Sequence, residues 1–332
     1  MKESEIRPQQ LFNRYLELSH QDIERFFSDH KRFEETDCPA CGSDQREPGL
    51  VKFDFIYVLC ARCGSLYLSP RPTVAMYDRY YQESESVKFW STHFFKETAE
   101  ARRHKIFRPR ASLVEQWTKE CSGKPDEGDL FVDIGSGYGI FLDEIKRLKR
   151  FDRILGIEPA PDLAQKCRER GFEVLEKKIE EIEKGEVEAR FATAFEVLEH
   201  VFNPLEFLQS AGRILRRGGS LMFTTLTVSG FDIQVLWENS KSVHPPHHIN
   251  LLSVEGMCRL IERSGLYLED LSTPGELDVD IVKNICAENT NIPLPRFAAS
   301  IVAASDEVRD NFQKFLRANR FSSHIRVIAT VN

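Results

Sequence analysis

The chain has 332 residues, with 45 lysine and arginine residues against 52 aspartate and glutamate residues and a formal net charge of -7. Hydrophobic residues make up 41% and charged residues 29% of it, which is typical of globular and not of disordered or fibrous proteins. The acidic balance argues against a protein that wraps nucleic acid over a basic surface. No apolar run approaches the roughly 18 residues of a membrane span, and the N-terminus has no signal-peptide pattern, so we expect a cytoplasmic protein without a membrane span.

The N-terminal part of the chain divides into three predicted segments. Residues 1–34 have apolar side chains at near-helical spacing and are predicted to be helical. Residues 35–70 contain two cysteine pairs and a strand-like apolar run at 53–60. A proline turn at 69–72 ends that segment. Residues 71–127 are predicted to form a largely helical linker or cap that is rich in aromatic residues.

Short apolar strands alternate with amphipathic helices over residues 128–272. The predicted strands are 130–135, 153–158, 191–198, 220–226 and 266–271, and the predicted helices are 140–150, 161–171, 203–219 and 253–264. Such alternation builds an α/β fold with a doubly wound, mostly parallel sheet. Residues 273–332 are predicted to form a C-terminal extension with a helix near 305–319.

A glycine-rich loop joins the first of these strands to the helix that follows. Its candidate binding residues are Asp133, Gly135, Ser136, Gly137 and Gly139. Glycines are needed where the main chain approaches a ligand closely or adopts a conformation that a Cβ atom forbids. Glu158 closes the next strand, where a carboxylate can accept hydrogen bonds from both hydroxyl groups of a ribose.

The segments VDIGSGYG, GIEPAPDLA and FEVLEHVFNPLEFLQSAGRILRRGG, in this order and spacing, resemble class I S-adenosylmethionine-dependent methyltransferases with a Rossmann-like fold. The resemblance implies that Asp133 and the glycine loop hold the methionine end of S-adenosylmethionine and that Glu158 holds the ribose. It also places Ile179 near the adenine and lets Phe195 and Glu196 close the cofactor pocket. Pro159 completes the predicted cofactor-binding set.

The two cysteine pairs predict a metal site. Cys38 and Cys41 are separated from Cys60 and Cys63 by 18 residues, which fits the spacing of four-thiolate zinc sites. Each C-x-x-C turn directs two thiolates at one point, and a glycine after each pair allows a tight turn. Four sulfur ligands leave no open coordination position, so the pattern predicts a structural zinc ion in a zinc ribbon; two redox-active cysteine pairs are the alternative.

A zinc ribbon ahead of a methyltransferase core resembles bacterial methyltransferases of polysaccharide and nucleotide-sugar pathways. This resemblance implies a sugar or glycan hydroxyl as the methyl acceptor, with the ribbon on the acceptor side of the sheet. C-methylation of a keto-sugar stays open, as does the oligomeric state. Two further alternatives are an RNA methyltransferase, which the net charge disfavours, and a non-catalytic scaffold, which the intact glycine loop disfavours. We therefore expect no nucleic-acid partner.

A sugar hydroxyl needs a general base, and histidine is the usual one near neutral pH. His200 follows the strand predicted at 191–198, and His247 and His248 lie in the loop after the next strand. We predict His248 as the base, with His200 and then His247 as alternatives. Glu196, Glu199 and His200 also resemble the E-x-x-E-H segment of ubiquinone-type O-methyltransferases, where it can hold a divalent cation; support of the cofactor pocket is the alternative role.

A basic run at 102–110 has two interpretations. Its arginines could hold the diphosphate of a nucleotide-sugar, or they could form the solvated face of a helix. The aromatic residues at 77–95 could stack on a sugar, cover the cofactor or pack in the core.

Overall fold

The computed structural model describes residues 5–6, 8–122 and 129–332, and of residues 121 and 122 it describes the main chain only. The α-helices are α1 (Gln9–Phe27), α2 (Val74–Glu83), α3 (Glu85–Phe89), α4 (Phe95–Arg102), α5 (Arg108–Ser122), α6 (Ile140–Arg147), α7 (Pro161–Glu169), α8 (Pro204–Arg213), α9 (Phe231–Leu236), α10 (Val254–Ser264), α11 (Asp278–Glu288), α12 (Arg296–Ala303) and α13 (Asp306–Ala318). The strands are β1 (Arg46–Lys52), β2 (Phe55–Cys60), β3 (Leu66–Leu68), β4 (Leu130–Ile134), β5 (Arg153–Ile157), β6 (Glu173–Leu175), β7 (Ala189–Phe195), β8 (Leu215–Leu226), β9 (Asn250–Leu251), β10 (Tyr267–Ser272) and β11 (His324–Thr330). Among the described residues, no helix combines the length and the apolar character that crossing a bilayer requires.

Seven strands form the main sheet in the order β10-β11-β8-β7-β4-β5-β6. Strands β4 to β8 pair in parallel, whereas β11 pairs antiparallel with both β8 and β10. All five residues of β4 are buried, as expected for a central parallel strand that is covered on both faces. The predicted α/β fold with a mostly parallel, doubly wound sheet and an N-terminal extension is therefore confirmed.

A second, antiparallel sheet connects the N-terminal segment to the rest of the chain. Its order is β1-β2-β3-β9, and β9 directly follows the histidine-rich loop at 244–248. The pairing aligns Leu66 with Leu251 and Tyr67 with Asn250. A buried cluster that includes Phe27, Phe55, Tyr57, Val243 and Ile249 packs α1 and this sheet against the loop. The N-terminal segment is thus structurally continuous with the part of the chain that carries the predicted base.

The helix predicted over 203–219 is too long. Helix α8 ends at Arg213, and the RRGG segment belongs to β8, whose first residue Leu215 pairs with Ala189. A register shift follows Ala189, and Gly219 has no room for a Cβ atom because it would lie 2.7 Å from the carbonyl oxygen of Arg216. The prediction was too long because apolar residues keep a helical spacing into the first residues of β8. The two glycines instead mark the place where the pairing of β8 with β7 is irregular.

Candidate active site

The glycine loop between β4 and α6 has the conformation that its glycines allow. Gly135, Gly137 and Gly139 all have positive φ angles, of 75°, 53° and 71°. The amide of Gly135 donates to the carbonyl oxygen of Ile157 at 2.8 Å, which ties the loop to the end of β5. A Cβ atom on Gly135 would lie 2.7 Å from Cγ2 of Val197, whereas one on Gly137 would meet nothing within 4 Å. The main chain at Gly137, in the centre of the loop, is therefore accessible to a ligand, as a cofactor-binding loop requires.

Two buried carboxylates lie at the carboxyl ends of neighbouring strands. Asp133, in β4, accepts a hydrogen bond from Oγ1 of Thr193 at 2.7 Å, and burial raises its pKa to about 7. Glu158, directly after β5, accepts hydrogen bonds from the amides of Gly137 at 2.8 Å and Ala160 at 3.0 Å. Burial raises the pKa of Glu158 as well, although these hydrogen bonds oppose the shift. These acceptors suit the ribose hydroxyl groups and the amino group of S-adenosylmethionine, so the chain's residues fit this cofactor.

The other members of the predicted cofactor set differ in exposure. Pro159 is exposed beside Glu158, whereas Ile179 is buried in the core, where it begins a short helical turn between β6 and β7. Phe195 ends β7 and is half-buried. The guanidinium carbon of Arg110 lies 4.7 Å above the centre of the Phe195 ring.

Glu196 has a different set of neighbours from the one that the sequence suggests. It has a positive φ of 57°, so the strand predicted to reach residue 198 ends before it. Its carboxylate accepts from Arg110 at 2.8 Å and Thr224 at 2.5 Å and lies 3.3 Å from Nε2 of His324. Burial raises its pKa, but the charges of His324 and Arg110 outweigh burial and hold it at about 2.

Sequence reasoning missed Arg110 and His324 at this position. They come from α5 and β11, which are far from the motif in the chain. No spacing pattern links either residue to Glu196.

The structure groups Glu199 and His200 with His248, whereas the carboxylate of the neighbouring Glu196 bonds Arg110 and Thr224. One ligand atom from each of the three grouped side chains lies within 4.8 Å of the others. The Nδ1 atom of His200 bonds the carbonyl oxygen of His247 at 3.1 Å, and that of His248 bonds the carbonyl oxygen of Ser242 at 2.7 Å. A carbonyl oxygen only accepts, so each Nδ1 carries the proton and each Nε2 is the basic nitrogen.

Glu199 is a buried member of this cluster. Its carboxylate accepts a hydrogen bond from Oγ1 of Thr225 at 2.6 Å, and its main-chain oxygen accepts the amide of Ile249 at 2.9 Å. Burial, with the nearby charge of Glu196, raises the pKa of Glu199 to about 8. The carboxylate and two imidazoles have the chemistry of a proton-transfer site and of a divalent-cation site.

The ring of His247 adjoins this cluster but makes its own contacts in an aromatic environment. Its Nε2 atom is 2.6 Å from the hydroxyl oxygen of Tyr80, and burial lowers its pKa well below the usual range. His244 in the same loop bonds the hydroxyl group of Tyr15 at 3.1 Å. Helices α1 and α2 thus fix the loop through two tyrosines whose role the sequence did not indicate.

The four cysteines of the predicted ribbon converge. Their sulfur atoms all lie within 4.8 Å of one another, with 3.6 Å between Cys38 and Cys63 and 3.4 Å between Cys41 and Cys60. These separations are too long for disulfides and close to the about 3.8 Å that tetrahedral zinc with sulfur at about 2.3 Å requires. The hydrogen bond with Cys63 raises the pKa of Cys38, and the same bond lowers that of Cys63 to about 5. The donor set fits a zinc ion.

Three arginines of the basic run at 102–110, Arg103, Arg108 and Arg110, form ion pairs within the chain. Arg103 pairs with Asp143 at 3.1 Å and with Glu144 at 2.8 Å, and its side chain is only 12% exposed. Arg108 also pairs with Glu144, at 3.2 Å. Both arginines are thus occupied by ion pairs with α6, which argues against a free diphosphate site at these two positions. Arg103 is largely buried, whereas Arg108 is exposed, as the solvated-face interpretation expects.

Comparison with known proteins identifies the family. The methyltransferase domain family matches residues 102–271, slightly more than half of the chain. The chain belongs to this methyltransferase family. The match supports the predicted S-adenosylmethionine-dependent methyltransferase domain over these residues.

The relatives of this methyltransferase are only partly matched. The mitochondrial ubiquinone biosynthesis O-methyltransferase of Homo sapiens is 32% identical over 127 residues, which are 35% of this chain and 34% of that protein. The ubiquinone biosynthesis O-methyltransferase of Xanthomonas oryzae pv. oryzae is 26% identical over 159 residues, covering 45% of this chain and 59% of that protein. The chain thus spans about a third to three fifths of these relatives. The structure of the plantazolicin methyltransferase BpumL in complex with SAH aligns with a TM-score of 0.48 at 12% identity, covering 76% of this chain and 93% of that chain.

Proposed function

We propose that this methyltransferase transfers the methyl group of S-adenosylmethionine to a hydroxyl oxygen of a small molecule, and that the acceptor is a sugar. The cluster of Glu199, His200 and His248 carries the proposal, because its members follow β7 and β8 at the sheet edge where the glycine loop also lies. An acid–base cluster beside a methyl donor is what O-methylation of a weakly acidic hydroxyl group needs.

The cofactor site is assigned to Asp133, the glycine loop and Glu158, with Pro159, Ile179, Phe195 and Glu196 around it. When bound, S-adenosylmethionine supplies a methyl group on a sulfonium centre. The protein's part is to align the acceptor oxygen with that methyl group. Arg110 holds Glu196 in its strained conformation and covers Phe195, so it keeps this side of the pocket in place.

His248 is the proposed general base. Its Nε2 atom would take the hydroxyl proton of the acceptor, while the carbonyl oxygen of Ser242 keeps the Nδ1 proton and stabilises the imidazolium that forms. His248 and His200 are half-buried, and their ring centres are 4.9 Å apart, so His200 is the alternative base. His247 is less suited, because its ring nitrogen already bonds Tyr80.

Residues 35–70 are proposed to hold a structural zinc ion through Cys38, Cys41, Cys60 and Cys63. The segment that contains these cysteines also contacts the loop that carries the proposed base. The hydroxyl group of Tyr57 donates to the carbonyl oxygen of His248 at 2.7 Å.

Further contacts join the same segment to the loop. Nζ of Lys52 donates to the carbonyl oxygen of Ser240 at 2.6 Å. The pairing of β3 with β9 fixes the chain after the loop. Residues 35–70 therefore pack against the histidine-rich loop at 244–248 and hold its main chain in place.

The sugar acceptor is supported by the aromatic residues near the cluster. Tyr81 is 41% exposed, and the centre of its ring lies 6.2 Å from that of His247. Half-buried Trp90 packs on Tyr15 in the same region. Partly exposed rings beside a polar cluster suit the apolar face of a sugar. A phenolic hydroxyl is the second candidate, because the partly matched relatives are named as ubiquinone biosynthesis O-methyltransferases.

The experiment follows methyl-labelled S-adenosylmethionine into nucleotide-sugar, glycan, quinone-precursor, RNA and protein fractions. We expect label in a sugar fraction with the wild type and with His20→Ala, an exposed control histidine, and little label with His248→Ala. Label in a phenol would select the second candidate, and label in RNA would overturn the proposal. A methyl group on carbon would select C-methylation of a keto-sugar. Full activity of His248→Ala would reject the assigned base, and loss of activity with a chelator that spares the four-cysteine site would assign the cluster to a cation.

A further inference from the structure

A cluster of phenylalanine rings lies on the surface formed by α9, α12, α13 and the residues after α13. We call it the phenylalanine patch, and its members are Phe231, Phe297, Phe312, Phe315 and Phe321. Phe312 is at the centre of the patch and contacts Phe231, Phe297 and Phe315, and Phe315 in turn contacts Phe321, with distances of 5.1 to 6.3 Å between ring centres. They line an open cavity of about 630 Å³.

The patch is apolar and unusually exposed. The side chains of Phe297, Phe315 and Phe321 are 65%, 51% and 49% exposed. The two polar residues of the cavity wall bond within the protein, since Gln234 donates to the carbonyl oxygen of Val228 and Ser229 accepts the amide of Val254. A hydrocarbon occupant is therefore favoured over a polar ligand.

The charges around the patch define the chemistry of its partner. Helix α13 begins with Asp306, Glu307 and Asp310, but its second half and the residues up to Phe321 carry Lys314, Arg317 and Arg320, so the cations lie at the end of the helix that bears Phe312 and Phe315. Arg317 pairs with Glu276, whereas Lys314, Arg320 and Arg296 form no ion pair within the described part of the chain. Exposed aromatic rings bordered by unpaired cations suit an interface that is apolar inside and anionic at its surface.

We propose that the phenylalanine patch docks the methyltransferase on an anionic lipid surface. The rings of Phe297, Phe315 and Phe321 enter the boundary between headgroups and acyl chains, and the flanking cations contact the headgroup phosphates. The amide of Phe231 donates to the carbonyl oxygen of Phe321, and that of Thr227 to the carbonyl oxygen of Ser323. These bonds fix the patch next to the carboxyl end of β8, so docking brings the active-site edge of the sheet close to the membrane.

The test measures co-sedimentation with vesicles of phosphatidylcholine, with and without phosphatidylglycerol. We expect wild-type protein to bind the anionic vesicles, and the triple variant Phe297→Ser, Phe315→Ser and Phe321→Ser to bind about tenfold less. The double variant Val51→Ser and Ile56→Ser is the matched control, since it removes exposed apolar side chains from the β1–β2 hairpin and should bind as the wild type does.

A second arm separates charge from apolar contact and excludes other occupants. Lys314→Gln with Arg320→Gln should lower binding to anionic vesicles by roughly tenfold and leave the weak binding to neutral vesicles unchanged. An unchanged melting temperature of each variant shows that folding is intact. Equal vesicle binding by the wild type and the triple variant would overturn the proposal. A lipid-free dimer that the triple variant converts to a monomer would assign the patch to a second copy and also overturn it.

Discussion

Replacing Gly135 by alanine tests whether the glycine loop is built as described, and Gly137 provides a matched control. Both glycines have positive φ angles, so each alanine variant carries the cost of a left-handed backbone. Only at Gly135 does the added Cβ atom meet a neighbour, Cγ2 of Val197 at 2.7 Å. Valine has a stiff side chain, so Val197 cannot rotate away freely.

The expected magnitudes follow from these two contributions. The left-handed conformation costs about 1–2 kcal/mol for alanine at either position. Overpacking against Val197 adds roughly 1–3 kcal/mol at Gly135 alone. The free energy of unfolding of Gly135→Ala should therefore be lower than that of Gly137→Ala by roughly 1–3 kcal/mol, although both substitutions change the same loop.

Urea denaturation of the two variants measures this difference. Adding Val197→Ala should restore part of the loss in Gly135→Ala and none in Gly137→Ala, because it removes the methyl group that the new Cβ atom meets. Equal destabilisation by the two alanines, or no rescue by Val197→Ala, would refute the described packing of the loop.

Two further predictions concern a buried acid and the cysteine cluster. Asp232 is completely buried beside Asp278, and burial raises its pKa well above the usual range. The folded state therefore keeps a proton that the unfolded chain releases above about pH 4. The free energy of unfolding should fall as pH rises, by up to about 1.4 kcal/mol per pH unit, and urea titrations should show a smaller slope for Asp232→Asn; an identical slope would contradict this origin. Removing zinc with a chelator, or replacing Cys60 by serine, should lower the melting temperature and the metal content, whereas Cys286→Ser should change neither; a metal-free protein with an unchanged melting temperature would argue against a structural zinc.

Sequence patterns predicted most of the main sheet because parallel strands and amphipathic helices have distinct periodicities. The strand at β4 and the helix at α10 were predicted within one residue of their observed ends. The short strands β3, β6 and β9 were missed, because two or three residues contain no readable period. Strand β11 was also missed, although its buried residues alternate with half-buried ones, a pattern that favours a strand, and it pairs with β8, more than 90 residues earlier in the chain.

The candidate site was only partly predictable for the same reason. Local motifs indicated the glycine loop, Glu158 and the histidines, since each lies at the end of a strand. The partners that decide their chemistry come from distant segments: Arg110 at Glu196, Tyr80 at His247 and Tyr57 at the loop. Spacing along the chain does not reveal such contacts. For that reason the sequence grouped Glu196 with Glu199 and His200, whereas in the fold the third member of that group is His248.

The central claim is that S-adenosylmethionine binds at the glycine loop and Glu158, and isothermal titration calorimetry tests it most directly. The wild type and Glu188→Gln, an exposed control, should bind one equivalent of S-adenosylmethionine with equal affinity. Glu158→Gln should bind roughly tenfold more weakly, because it exchanges a charge-assisted hydrogen-bond acceptor for a neutral one. No binding by the folded wild type, or equal affinity of Glu158→Gln and the control, would contradict the assignment of the cofactor site.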